Sequence, residues 1–277
     1  MKTSTSSLIC FRTSSCISSL VLAALISSGS ASAQADLTGR QIQERSIAAT
    51  RVAGIEAVVT LTIRDGRGRE RVRRLAQASK LYDGGQTEKT LIRFLEPADV
   101  RGTGFLTFDY RDRDDDKWLY LPALRRSRRI VSSENARSFM GSEFSYADMT
   151  PPTVADFTFT IAGEEDINGV SCFTLEVVPL DEEIADENGF SRKVVYIGTE
   201  DFVIRRALYF DLDGELLKEL TVHEITELDP ANHRCRLTHF EMENKQNGRR
   251  SIIKVEEIRF APDASDEYFT TRYLERG

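Results

Sequence analysis

From residue 54 onward the chain is written largely in a period of two. Val59, Leu61 and Ile63 alternate with Val58, Thr60 and Thr62, and such alternation puts one set of side chains on each face of a strand. Further strand-like runs lie at 69–79, 89–95, 105–110, 118–121, 125–131, 156–163, 170–178, 191–197, 202–211, 215–225, 234–243 and 250–260. Six Asn-Gly or Asp-Gly pairs stand at or near the connections: Asp65-Gly66, Asp83-Gly84, Asn168-Gly169, Asn188-Gly189, Asp213-Gly214 and Asn247-Gly248. These are hairpin signals, and their number favours an antiparallel meander over a parallel α/β scheme. Of these thirteen runs the pattern predicts eleven or twelve as strands, with only two helices. One helix covers 37–53, with Ile42, Ile47 and Val52 apolar and Gly54 to end it; the other covers 264–274 with Ser265 as N-cap. The fold class is mainly β. A single antiparallel sheet of this size has to curl to hide its apolar face, and its interior then needs a filling.

The meander has one long break. The run Trp118-Leu119-Tyr120-Leu121 stops at Pro122, and four arginines follow in five positions: Arg125, Arg126, Arg128 and Arg129. Residues 132–150 are polar with spaced apolar side chains, Phe139, Met140, Phe144, Tyr146 and Met149, and end at Pro151-Pro152. This segment predicts a flap of short helix and loop over the curled sheet. The spacing of Met140 and Phe144 suggests a helical turn.

The N-terminus changes the compartment. Lys2 and Arg12 precede an apolar run at 17–26, and Ala31-Ser32-Ala33 follows. That arrangement predicts a cleaved secretory signal peptide at 1–33 and a single domain at 34–277. The apolar run is too short to span a bilayer, and no cysteine follows it at a lipobox position. Without Lys2 and Arg12, the mature chain has 35 basic against 44 acidic residues, a net charge of −9. That balance argues against bulk nucleic-acid binding, which needs a basic footprint. Cys10 and Cys16 leave with the signal, whereas Cys172 and Cys235 remain, as one disulfide or as two buried thiols.

Catalytic and metal chemistry find little support. No nucleophile elbow, zinc-protease helix or phosphate loop accompanies His223, His233 and His239. His223 and His239 fall on late strands as neighbours. The turn Asp112-x-Asp114-x-Asp116 has Lys117 and Ala123 where a calcium loop needs Gly and Glu, so it reads as a solvated hairpin tip. The run 181–187 reads as a solvated loop. No enzyme activity, cofactor or metal is expected. Binding of something apolar fits better, because the concave face of a curled sheet is an apolar container. Candidates for that face are Val59, Leu61, Ile63, Phe94, Phe105, Trp118, Tyr120, Phe157, Phe159, Phe173, Leu175 and Phe210. A register error of one residue would invert the set. The flap side chains Phe139, Met140, Phe144, Tyr146 and Met149 are candidates for its cover, as a mobile lid or a fixed plug; methionine and aromatic rings adapt to variable chains. The four arginines suit a lipid headgroup or an acidic partner, or simply protect an edge strand by charge.

The block from Trp118 to Ile130, Trp-Leu-Tyr-Leu-Pro-Ala-Leu-Arg-Arg-Ser-Arg-Arg-Ile, resembles the bacterial outer-membrane lipoprotein-sorting protein family, a LolA-like group. So does the run from Phe139 to Asp148, Phe-Met-Gly-Ser-Glu-Phe-Ser-Tyr-Ala-Asp. The resemblance extends from about Leu37 to Leu274. It implies an unclosed β-barrel with a helical lid over a hydrophobic cavity, as in LolA, LolB and RseB. It also implies a monomeric periplasmic carrier of lipid or of lipoprotein acyl chains, without catalysis. An inner-membrane RND/MMPL-type exporter and an outer-membrane acceptor are the partners it suggests. An RseB-like sensor or an exporter accessory subunit is the alternative.

Overall fold

The computed structural model describes residues 37–276, so the predicted signal peptide lies outside the described residues. The first element is α1 (Gly39–Thr50), which Thr38 starts with a capping box: its hydroxyl accepts from the Gln41 amide, and its own amide donates to the Gln41 side chain. Six strands follow: β1 (Gly54–Arg64), β2 (Glu70–Tyr82), β3 (Thr87–Glu96), β4 (Gly104–Tyr110), β5 (Asp116–Leu121) and β6 (Arg126–Ile130). After the flap come β7 (Phe157–Ile167), β8 (Val170–Pro179), α2 (Glu182–Asn188), β9 (Arg192–Gly198), β10 (Ile204–Phe210), β11 (Leu216–Asp229), β12 (Arg234–Asn244) and β13 (Arg250–Phe260). A 3₁₀ turn (Asp266–Phe269) and the single turn of α3 (Thr271–Leu274) end the chain.

All thirteen strands join one antiparallel sheet, in the order β6-β5-β4-β3-β2-β1-β13-β12-β11-β10-β9-β8-β7. The chain builds outward from β1 to β6, crosses to the opposite edge, and meanders back from β7 to β13, which pairs with β1. The sheet is curled but not closed into a barrel, and β6 and β7 are its two free edges. The flap is the connection between those edges, and its middle lies against the inner strands β2, β11 and β13. Register shifts at Val58/Val59, Ile161/Gly163 and along β11–β12 mark bulges, which bend strands and sharpen the curl.

Turn chemistry explains most connections. Asn168 and Gly169 both take positive φ, 55° and 85°, the geometry of the tightest hairpins. Asn188-Gly189 serves a different purpose. The stretch 181–187, expected as a loop, is α2: Asp181 caps it by accepting from the Ile184 amide, and Gly189 ends it in the left-handed conformation. The flap keeps the expected mix of short helix and loop but lacks the helical turn suggested at Met140–Phe144. It is irregular, and Met140 and Gly141 at positive φ reverse the chain so that the Phe139 amide donates to the Phe144 carbonyl at 2.7 Å. Its regular pieces are short 3₁₀ turns at Ser132–Glu134 and Ala147–Met149.

Burial divides by face. On the concave side, one apolar cluster gathers Leu61, Leu75, Phe94, Phe105 and Leu119 from the first wing. A second gathers Leu175, Val177, Ile197, Ala207 and Met242 from the other. On the convex side a third cluster packs Leu106 and Tyr120 against Phe269 and Leu274 of the C-terminal turns. Gly104 permits this approach, since a Cβ there would lie 2.5 Å from a Leu274 methyl.

Candidate functional site

Between the two concave clusters the protein keeps open space, a cavity of about 400 Å³. Ligand sites commonly have volumes of about 300–1,000 Å³. Its walls are the inward positions of the strands, among them Val59, Leu75 and Ile92 on one wing and Val177, Val195, Ala207, Leu220 and Met242 on the other. Ser46, Ile47 and Thr50 of α1 line it, as do Phe139, Phe144 and Met149 of the flap. The lining follows from the period of two, because every second residue of a curled sheet points to the same interior.

The flap is latched from both wings. Arg73 of β2 donates to the Met140 carbonyl, and Arg249 to that of Gly141 at 3.0 Å. Glu143 pairs with Arg249 at 2.9 Å, and its amide donates to Ser251 of β13 at 2.8 Å. The strongest tie is Asp148. One carboxylate oxygen accepts from the amide and the hydroxyl of Ser145, each at 2.8 Å, and from Lys218 of β11 at 2.7 Å. The other accepts from the Tyr209 hydroxyl at 3.2 Å. Burial pushes the Asp148 carboxyl upward, but the Lys218 ammonium and the Ser145 amide outweigh it and hold it at about 2. Near this latch, Lys193 of β9 faces the cavity with its ammonium 4.4 Å from the centre of the Phe190 ring and 4.9 Å from that of Tyr209. It makes no ion pair or hydrogen bond among the described residues.

A second polar group lies among other residues of the cavity wall. Arg51, just after α1, pairs with Asp109 of β4, and Arg236 of β12 pairs with Glu88 of β3 while also donating to Ser79 at 3.1 Å. Arg236 reaches Glu88 across the concave side, with three strands between them in the sheet. Burial pushes Asp109 up to about 7 against the pull of Arg51, with Asp115 and Glu88 adding to the rise.

The structure separates the sequence candidates. Phe105, Phe139 and Tyr146 meet on the concave side, with ring centres 5.2–5.8 Å apart. Phe144 stacks edge-on to Phe240, 5.7 Å away. Met140 and Met149 pack beside them. Trp118 and Tyr120 are corrections. Phe105 stands opposite Leu119 and Leu106 opposite Trp118, so Leu119 turns inward while Trp118 and Tyr120 face the convex side. Trp118 there meets Phe108 at 5.0 Å. Phe210 is inverted in the same way, with Tyr209 as the inward neighbour. Phe94, Phe157, Phe159, Phe173 and Leu175 do belong to the concave clusters.

Arg125, Arg126, Arg128 and Arg129 are all exposed at the β6 edge. Two have carboxylate partners: Arg128 pairs with Glu134 at 2.8 Å, and Arg129 with Asp116. Cys172 and Cys235 are free thiols. The disulfide expectation is corrected because β8 and β12 have three strands between them. Burial pushes both thiols up. His223 and His239 are neighbours, ring centres 4.8 Å apart. What the sequence reading missed is the set of charges inside: Arg51, Glu88, Asp109, Asp148, Lys193, Lys218 and Arg236. Lys193 carried a signal, since it stands in phase with the inward Val195 and Ile197.

A family model described as "uncharacterized protein" matches residues 86–276. No curated protein matches the chain. Among solved structures, a DUF1329 family protein from Desulfovibrio piger superposes with a TM-score of 0.77 at 30% identity, over 85% of this chain and 97% of that one. The chain belongs to the DUF1329 family. A further similar structure is a Vibrio parahaemolyticus domain named for outer membrane lipoprotein sorting, with a TM-score of 0.77 and 28% identity over 86% of this chain and 98% of that one. It agrees with the resemblance carried by Trp118–Ile130 and Phe139–Asp148. A LolA superfamily protein from Nitrosomonas europaea, 18% identical with a TM-score of 0.64 over 86% of this chain and 99% of that one, shares the fold. DUF1329 and LolA-superfamily chains thus share the unclosed, curled sheet. No helix among the described residues of this DUF1329 chain is long and apolar enough to cross a membrane.

Proposed function

We propose that the protein is a periplasmic carrier. It takes a lipid, or the acyl chains of a lipoprotein, into the cavity and passes them toward the outer membrane, with an RND/MMPL-type exporter as its inner-membrane partner. The observation that carries this reading is the apolar cavity of about 400 Å³ covered by a flap that joins the two edges of the sheet. An acyl chain gains about 0.8 kcal/mol for each buried methylene, so about ten methylenes contribute on the order of 8 kcal/mol, a micromolar affinity. The name of the Vibrio relative points the same way. The reading requires no catalytic group.

Native mass spectrometry of protein purified from a periplasmic extract tests it. Co-purifying acyl species that exchange with added vesicles are the expected result. One observation favours a second reading, a sensor or exporter accessory module. The flap rings Phe139, Phe144 and Tyr146 are only 3%, 3% and 5% exposed, as a fixed plug would be. A cavity that stays empty and admits no acyl probe selects that module and removes the carrier.

A further inference from the structure

The carrier reading leaves open which amphiphile the cavity selects, and the charges in its wall bear on that. Among the described lining residues the charged side chains are Arg51, Glu88, Asp109, Asp148, Lys193 and Arg236. Arg51 is matched by Asp109 and Arg236 by Glu88. Asp148 is taken by Lys218, by both donors of Ser145 and by Tyr209. Lys193 alone has no partner among the described residues. It is half-buried and lines the cavity. Its ammonium rests against the rings of Phe190 and Tyr209, whose faces attract a cation without neutralising it.

An uncompensated ammonium in an apolar wall is costly unless an anion meets it. Burial lowers Lys193 to about 8, with Asp148 opposing the fall and Lys218 adding to it, so the group is still largely charged at neutral pH. The nearby charges give it no direct partner: Asp148 attracts it through space but makes its contacts with Ser145, Lys218 and Tyr209, and Lys218 has the same sign. A single ammonium in a cavity of about 400 Å³ suits a small, singly charged head on one chain; a phosphodiester bears the same charge but adds a bulky substituent that this space does not favour.

We propose that the cavity selects single-chain amphiphiles with an anionic head, in the class of long-chain carboxylates, and that Lys193 is the residue that pairs with that head. The inference rests on the carrier reading of the cavity. Chain methylenes supply affinity along Val177, Val195 and Ala207, while Lys193 supplies the choice of head.

The test compares dodecanoate with dodecanol, two probes of equal chain length, by displacement of a fluorescent acyl probe from delipidated protein. Wild-type protein is expected to prefer the carboxylate by about tenfold, the worth of one charge-assisted hydrogen bond. Lys193→Met should bring the two affinities together, and Lys193→Arg should keep the preference. Lys193→Met leaves no partner orphaned, so its unfolding midpoint should equal or exceed that of the wild type; Lys193→Arg decides the matter if it does not fold. Equal binding of both probes by the wild type, or a preference that survives in Lys193→Met, overturns the inference and leaves the carrier intact. If neither probe binds, the carrier reading falls and the inference with it.

Discussion

Replacing Asp148 with Asn tests whether the flap is held by electrostatics. The substitution keeps shape but removes the charge that Lys218 pairs with at 2.7 Å, in a site where both side chains are 11% exposed. A carboxyl held at about 2 instead of the ordinary 3.8 carries about 2–3 kcal/mol at neutral pH. The variant also leaves Lys218 buried beside Lys193 without a counter-ion, and breaking a buried pair costs about 3–5 kcal/mol. Asp148→Asn should therefore lose about 3–4 kcal/mol, between these two estimates. Urea denaturation measures that loss, and hydrogen exchange across 132–150 shows whether it falls on the flap or on the whole sheet. The pH dependence gives an independent check. The folded-state carboxyl is depressed, so its stabilisation is present above about 4 and is lost as pH falls through 4 towards 2. Wild-type protein should lose that increment in this window, and Asp148→Asn should not. A variant within about 0.5 kcal/mol of wild type, the usual limit for a neutral surface change, with unchanged flap exchange, would refute the latch.

Trp118→Ala should cost about 1–3 kcal/mol through lost packing on Phe108, with acyl-probe binding unchanged; reduced binding at unchanged stability would contradict its place on the convex face. In protein comprising residues 34–277, a thiol-reactive dye in denaturant should label both Cys172 and Cys235 without reduction, and a chain that labels only after reduction would contradict the free thiols. Changing Arg128 and Arg129 together to Gln should alter stability by less than about 1 kcal/mol, because exposed pairs contribute little. A larger loss by urea denaturation would assign the β6 edge a structural role.

The meander was legible because its information is local. Alternation at Val59, Leu61 and Ile63 marks a strand wherever it occurs, and Asn168-Gly169 turns a chain by its own backbone preference. The long gap between hairpins located the flap for the same reason. Asn188-Gly189 was ambiguous because Gly in the left-handed conformation closes a hairpin and caps a helix equally well; Asp181 was the signal that decides for α2. The blocks around Trp118 and Phe139 carried the family, since they are runs of specific residues rather than a periodicity.

What alternation alone left undetermined was which face looks inward. Trp118 and Leu119 differ by a single step, and both are apolar. The convex side also buries apolar residues, beneath the turns that end at Leu274, so hydrophobicity could not separate the two faces. The interior charges were beyond a local reading for another reason. Lys193, Asp148 and Lys218 come from β9, the flap and β11, and Arg236 finds Glu88 with three strands between them. Their partnerships exist only after the sheet has curled. By itself the sequence determined the strands, their turns, the break between them and the family. The tertiary structure decided which side of each strand forms the cavity and which charge within it was left unpaired, because both depend on curvature that no single strand encodes.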